Sequence, residues 1–381
     1  MLAFVAYLDQ AYEIDIYGLA PQDEETRFDS RTRVINSASG GLLQKLKSNQ
    51  SDGKIKHKFK TLGSIILRRI LKNPLASWQK SSLQKLVREH QKAPYDCIIS
   101  SYAPQETHLL VIAFKKQFPD VPWVADMRDE MSKNPGLPAK LQNELRAVEV
   151  EINRYAQAIT SVSAPILDDF RKLCPQVSFF EEIRNGFNHD FQRNLSEEES
   201  GEKFKLGYFG TFYGERKPAY LFEAIEKLYK SGELQEIEVN IFGAHQNFTV
   251  PAALKNKVHL FPPLSYKEAI ETMAKQDLNI QIHPRSKQKG VFTGKLFDYI
   301  SVQKPVLALV DKDDVAAQLI REFECGYVAE FNETDEILAA LRSAYQDWKN
   351  KAPRYASTEH KNSLHRRHQV EKLNQLIQQL V

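Results

Sequence analysis

The clearest chemistry in this 381-residue chain lies in Gly290-Val291-Phe292-Thr293-Gly294-Lys295-Leu296-Phe297-Asp298-Tyr299-Ile300, followed by Lys304-Pro305-Val306-Leu307-Ala308. A small Thr-Gly turn after a strand pattern opens a helix. The unpaired N–H groups of a first helical turn attract anions, and Lys295 adds a full positive charge beside them. Asp298 follows Gly294 by four residues, one turn into the helix. Its carboxylate can accept hydrogen bonds from a ribose diol whose phosphates rest at the turn. The same residues also describe an ordinary N-capped helix with a solvent-facing Lys and Asp, and spacing alone does not separate the two.

A second group is Asp126-Met127-Arg128-Asp129, which closes the strand pattern Pro122-Trp123-Val124-Ala125. Strand ends are where α/β folds place ligands, which makes Asp126 and Arg128 candidates for catalysis. The competing reading is a structural ion pair of Arg128 with Asp129. His108 falls three or four residues into a helix after Ser100-Ser101-Tyr102-Ala103-Pro104, either as a site residue or as a packing histidine. His283 ends the strand before the Thr-Gly turn and either touches a ligand there or braces the loop. Asn185-Gly186 reads as a tight turn. Asp311-Lys312-Asp313-Asp314 offers carboxylates to a metal, but its place after a strand reads as a helix cap, and no metal site is expected.

These residues must be held by elements that the hydrophobic spacing predicts. Leu2, Phe4, Val5 and Leu8 recur at helical spacing, and Glu13–Gly18 alternates like a strand. An α/β domain normally opens with a strand and a loop before such a helix, so either the fold begins unusually or the first strand of the N-terminal domain is missing. A short basic amphipathic helix is expected over 62–78, stopped near Pro74. Strands follow at 95–101, 122–125, 158–163 and 177–183, with helices over 105–118 and 138–156. Residues 193–203 are polar and acidic with a Gly, which reads as a linker between an N-terminal domain over 1–192 and a C-terminal domain over 204–355. In the second domain, strands are expected at 204–209, 237–242, 258–260, 278–283, 305–310 and 327–329. Helices alternate with them near 218–230, 266–275, 294–302, 314–323 and 334–347. This alternation predicts two α/β halves with parallel sheets facing a central cleft. A last helix over about 360–380, within 356–381, is free to cross back to the first domain.

Composition sets the outer limits. The length suggests two domains, and 42% apolar with 27% charged residues describes a globular protein. No apolar run reaches the length of a membrane-spanning helix, and no leader pattern precedes a cleavage site. Cys97, Cys174 and Cys325 form neither a disulfide framework nor paired zinc ligands, which favours a reducing cytoplasm. A net charge of +3 is too small for a nucleic-acid partner. The charge is unevenly spread, however. Residues 41–92 hold 13 Lys/Arg against two acids, so the rest of the chain is acidic. Such a stretch fits an anionic membrane surface, or it is simply a solvated face.

The stretch GVFTGKLFDYISVQKPVLAL resembles the donor-binding segment of retaining, nucleotide-sugar-dependent glycosyltransferases of the GT-B fold, family 4 type. Phe204–Thr211 resembles the strand and loop that open that family's donor domain, which brings in Gly210 and Thr211. Arg216-Lys217 falls where the family places basic residues on the donor diphosphate. Asp126-Met127-Arg128-Asp129 resembles an Asp-x-Arg-Asp signature of a bacterial surface-polysaccharide branch. Ser161-Val162-Ser163-Ala164-Pro165 and Arg184-Asn185-Gly186-Phe187 resemble two later landmarks of its first domain. There is one departure in the donor segment. Asp298 matches the second member of a Glu pair spaced eight apart, whereas Gly290 stands where the first would be.

The resemblance implies transfer of a sugar from a UDP- or GDP-linked donor to a glycan or lipid-linked acceptor, with retention and without a metal or other cofactor. Arg216, Lys217 and Lys295, with the N–H groups of Thr293 and Gly294, would stabilise the leaving diphosphate. His283 would touch sugar or phosphate, and Asp126 would orient an acceptor hydroxyl. A cytoplasmic enzyme, peripheral at the inner membrane face through residues 41–92, is the expected setting. The alternatives are a non-catalytic binding or scaffold protein and a nucleotide-sugar epimerase of the same fold.

Overall fold

The computed structural model describes residues 2–18, 28–36, 75–192, 201–243, 248–288 and 290–381. Its contacts divide the chain into two compact units. The first comprises Met1–Ser161, Ile166–Ile183 and Val370–Val381, and the second comprises Val162–Pro165 and Arg184–Gln369.

The first unit runs α1 (Leu2–Tyr7), β1 (Ile14–Gly18), β2 (Thr32–Asn36), α2 (Ala76–Lys92), β3 (Ile98–Tyr102), α3 (Glu106–Lys115), β4 (Trp123–Met127), α4 (Ala139–Tyr155), β5 (Ala158–Ser161), α5 (Ala164–Leu173) and β6 (Phe179–Glu182). β3-β4-β5-β6 form a parallel sheet in that order, and β1 and β2 form a separate parallel pair. Every residue of β4 is buried, as a strand covered on both faces must be.

The amphipathic helix expected over 62–78 falls mostly on residues outside those described. The basic stretch instead supplies α2, whose buried residues Trp78, Ser82, Leu86 and His90 recur every fourth position. That stripe was missed because Ser82 and His90 are polar. The apolar count over 76–92 therefore looks too thin for a buried face.

The second unit runs β7 (Phe204–Phe209), α6 (Ala219–Lys230), β8 (Ile237–Phe242), β9 (Val258–Phe261), α7 (Tyr266–Ala274), β10 (Leu278–His283), α8 (Gly294–Ser301), β11 (Val306–Val310), α9 (Val315–Glu322), β12 (Gly326–Ala329), α10 (Thr334–Lys349), α11 (Thr358–Ser363) and α12 (Arg366–Leu380). Its six strands are parallel in the order β12-β11-β10-β7-β8-β9. Two cores lie on opposite faces: Leu307 and Leu309 of β11 belong to one, and Val306, Ala308 and Val310 to the other. That is the period of two expected of a strand buried on both sides. The sheet grows one way from β7 through β8 and the other way through β10. The boundary between β7 and β10 is therefore its topological switch point, where ligands enter beyond the carboxyl ends of the strands.

The single helix expected over 360–380 is two helices. Between them Leu364 accepts a hydrogen bond from Phe187 N (3.2 Å), and Arg366 N donates to Phe187 O (3.0 Å). These bonds turn the backbone out of the helical ladder. Gly186 has φ +60, and a β-carbon there would overlap the Leu364 carbonyl oxygen, so the close approach requires glycine. α12 starts in the second unit and ends in the first.

Candidate functional site

At the end of β7, Gly210 has φ +138, and a β-carbon built on it would overlap the Lys295 amine. Glycine there serves a purpose: it leaves the space that Lys295 occupies. A β-carbon built on Gly243, just past β8 with φ +100, would lie 3.3 Å from the Gly210 backbone. The neighbouring strand ends are tied by a stack of Phe209, Phe242 and Phe261, with successive ring centroids 4.6 and 4.7 Å apart.

Lys295 lies in the first turn of α8, and the N-cap residue Thr293 makes no side-chain cap. Thr293 Oγ1 is buried and without a hydrogen-bond partner among the described residues. Lys295 itself is half-buried and makes no hydrogen bond or ion pair with the described residues. Burial, then the nearby Arg216 charge, pushes its amine below the usual lysine range, while Asp298 opposes them.

Arg216 stands in a tight turn closed by Arg216 N donating to Tyr213 O (3.0 Å). Its Nη2 donates to His283 Nδ1 at 2.9 Å, and its guanidinium lies 4.9 Å from the Tyr213 ring centroid. Its Nε is buried without a hydrogen-bond partner among the described residues. Because guanidinium only donates, His283 Nδ1 must accept, and the imidazole proton sits on Nε2. Burial and the Arg216 charge hold His283 below the ordinary histidine pKa.

Asp298 accepts from the Tyr266 hydroxyl at 2.8 Å. Burial pushes its pKa up to about 6, against the opposing pulls of Tyr266, Arg366 and Lys295. Nothing in the sequence pointed to Tyr266, which lies 32 positions upstream on α7. Gly290 N donates to Asp314 Oδ1 (2.8 Å), and that oxygen also accepts from Val315 N (2.8 Å). Asp314 therefore caps α9 and anchors the loop before α8. Asp311 pairs with Arg285 at 3.1 Å. Among the described residues no three His, Cys, Asp or Glu side chains come together as a metal site.

Gly210, Arg216, His283, Thr293, Gly294, Lys295 and Asp298 thus come to the carboxyl edge around β7 and β10. The other two donor-side candidates differ. Thr211 is exposed and donates to Gly243 O at 3.3 Å. Lys217 is exposed and lines a cavity of about 320 Å³ with Phe212, Tyr213 and Gly214.

In the first unit the strand extends to Met127, so Asp126 does not close it but sits within it, 0% exposed. Ser101 Oγ and Thr160 Oγ1 donate to its two oxygens at 2.7 and 2.9 Å. Ser101, Asp126 and Thr160 are register partners on β3, β4 and β5, so one carboxylate ties three strands. Arg128 pairs with Asp126 at 3.5 Å, and its charge also acts on Asp129. His108 is also 0% exposed, and burial pushes its pKa down to about 3. Trp123 Nε1 donates to Ser100 Oγ (2.8 Å), which lies 2.7 Å from His108 Nδ1. Asp126 and His108 therefore brace the unit and present no surface to a substrate. Glu130, overlooked in the sequence, is nearly buried, and burial with the charges of Asp169 and Asp129 raises its pKa to about 7. No helix among the described residues is long and apolar enough to cross a membrane.

No protein-family model and no curated protein matches the chain. Solved structures do match it. Sucrose-phosphate synthase from Thermosynechococcus elongatus superposes with a TM-score of 0.62 at 14% identity, over 99% of this chain and 90% of that one. Anabaena HepE in complex with UDP-glucose gives 0.53 at 16% identity, over 78% and 81%. The trehalose 6-phosphate synthase of Burkholderia multivorans gives 0.52 at 7%, over 81% and 77%. At these identities the likeness shows the fold, two Rossmann-like units of the GT-B type.

Proposed function

We propose that the chain is a nucleotide-sugar-dependent glycosyltransferase whose second unit holds the donor. The observation that carries this reading is the pair of cations at the switch point. Lys295, half-buried and without a hydrogen-bond or ion-pair partner among the described residues, lies close enough to Arg216 for that charge to disfavour its own. Two cations brought together out of water repel, and a diphosphate placed between them would relieve that cost. Arg216 and Lys295, with the Thr293 and Gly294 N–H groups and the open backbone at Gly210 and Thr211, would hold the donor phosphates. Asp298 would accept from the ribose diol once the Tyr266 hydroxyl yields.

In the reaction, the glycosidic bond to the diphosphate breaks as positive charge develops on the sugar ring. Fixed cations stabilise the leaving diphosphate without having to reorganise, which is the largest electrostatic lever available. His283 keeps Arg216 in place, with its own proton on Nε2 available to a phosphate or sugar oxygen. Retention of configuration and independence of a metal belong to the same proposal. So do a glycan or lipid-linked acceptor of surface polysaccharide, and a cytoplasmic setting at a membrane face contacted through residues 41–92. A non-catalytic binding protein is the second reading, favoured by the complete burial of Asp126 and His108.

Calorimetry with UDP, GDP and CDP tests the donor site. One nucleotide is expected to bind at micromolar strength and to be lost in Lys295→Ala and Asp298→Ala. A folded protein that binds none of the three overturns the reading.

A further inference from the structure

The turn after β7 carries more positive charge than a diphosphate needs. Arg216 faces His283, while its neighbour Lys217 is exposed and lines the cavity of about 320 Å³ with Phe212, Tyr213 and Gly214. That volume is at the small end of ligand sites and suits a single sugar ring.

The floor of this cavity is fixed. Phe212 is 1% exposed and stacked on Tyr208, with ring centroids 4.2 Å apart. Its wall is the Tyr213 ring, 62% exposed and held over the Arg216 guanidinium by the turn. An aromatic ring with one open face is a surface on which the C–H face of a pyranose can stack. The sugar of a nucleotide-sugar is bonded directly to its second phosphate. A ring beside the phosphate-holding Arg216 is therefore the donor's own sugar.

Charge selects which sugar. Lys217 makes no hydrogen bond or ion pair with the described residues. Helix α6 begins two residues later, behind Pro218, with no side-chain cap on its electropositive end. From Pro284 to Thr293, the loop leading to Lys295 contains no Asp or Glu. The turn's own acid, Glu215, is exposed and is not among the residues lining the cavity.

We propose that the pocket formed by Tyr213 and Lys217 recognises an anionic donor sugar, a nucleoside-diphosphate-linked uronate, with Lys217 reading the sugar carboxylate. This rests on the donor-site reading above and deepens it.

The test is calorimetry on the full chain with UDP, UDP-glucose and UDP-glucuronate, and with GDP, GDP-mannose and GDP-mannuronate. One uronate donor should bind about tenfold more tightly than its neutral partner, as expected for one added charge-assisted contact. Lys217→Ala should erase that preference, bringing the uronate and neutral donors to equal affinity, and Lys217→Arg should keep it. Tyr213→Ala should weaken both nucleotide-sugars more than it weakens the nucleotide. If a nucleotide binds but the neutral and uronate donors bind alike, or if the preference survives in Lys217→Ala, the uronate proposal falls and the donor site stands. If neither series binds a folded protein, both fall together.

Discussion

Arg216 and His283 form a fixed pair, Nη2 to Nδ1 at 2.9 Å, across the switch point between β7 and β10. The contact sets the imidazole tautomer and aims the guanidinium. Removing Arg216 should therefore cost far more than removing its support. Arg216→Ala should weaken nucleotide-diphosphate binding by about a hundredfold, the loss of a charge-assisted contact. His283→Ala should cost about fivefold, a positioning effect within the reach of one hydrogen bond, and His283→Gln should recover most of it by accepting from Arg216. Equal affinity of His283→Ala and the unaltered protein in calorimetry would show that the pair does not aim Arg216.

Asp298 gives a pH dependence with a definite sign. Its folded pKa is raised to about 6 from the ordinary 3.8, so the folded state holds the proton more tightly than the unfolded chain does. Stability should therefore fall as pH rises between those values and stay reduced above pH 6. Asp298→Asn should melt a few degrees higher than the unaltered protein at pH 7.5, with the gap closing near pH 4. Nucleotide binding should run the other way. The carboxylate is needed as an acceptor, so affinity should drop below about pH 6 in the unaltered protein and stay flat in Asp298→Asn. A melting gap that is the same at both pH values would contradict the raised pKa.

The second unit was almost fully legible in the sequence because its strands and helices have opposite periods and sharp punctuation. Thr293-Gly294 and Asp314 mark helix starts that the structure places at Gly294 and Val315. The clustering of Arg216, His283, Lys295 and Asp298 was legible too, since parallel strands deliver their carboxyl ends to one edge. Side-chain partners were not. Tyr266 enters through packing between elements, which no local spacing records, and Tyr213 through the geometry of the turn it closes with Arg216. The first unit was harder. A buried carboxylate such as Asp126 and a surface one look alike in sequence, and only the register of β3, β4 and β5 places Ser101 and Thr160 on either side of it.

That bracing makes Asp126 a stability residue with a large expected effect. Asp126→Ala would leave two hydroxyls and the Arg128 guanidinium facing a buried gap. Breaking a buried charged network in this way costs about 3–5 kcal/mol. Thermal unfolding of Asp126→Ala should shift down strongly, with Asp126→Asn intermediate because its amide oxygen still accepts one hydroxyl. Nucleotide affinity at 15 °C, where the variant is still folded, should be unchanged. A melting temperature equal to that of the unaltered protein would mean that the three strands do not depend on this carboxylate.

Gly210 separates shape from charge at the donor site. Alanine there would have to adopt φ +138, and its methyl group would overlap the Lys295 amine. The backbone strain alone is about 1–3 kcal/mol. The displaced amine could no longer meet a phosphate beside Arg216. Gly210→Ala should therefore lower the melting temperature modestly while abolishing nucleotide binding, although no charged group has been removed. Gly214→Ala is the matched control. It also needs positive φ, at +56, but a β-carbon there would meet nothing within 4 Å. It should cost similar stability and leave bare-nucleotide affinity within about threefold. If the two alanines weaken nucleotide binding equally, strain in the strand-end loops is responsible, and the seat that Gly210 provides for Lys295 has no part in it.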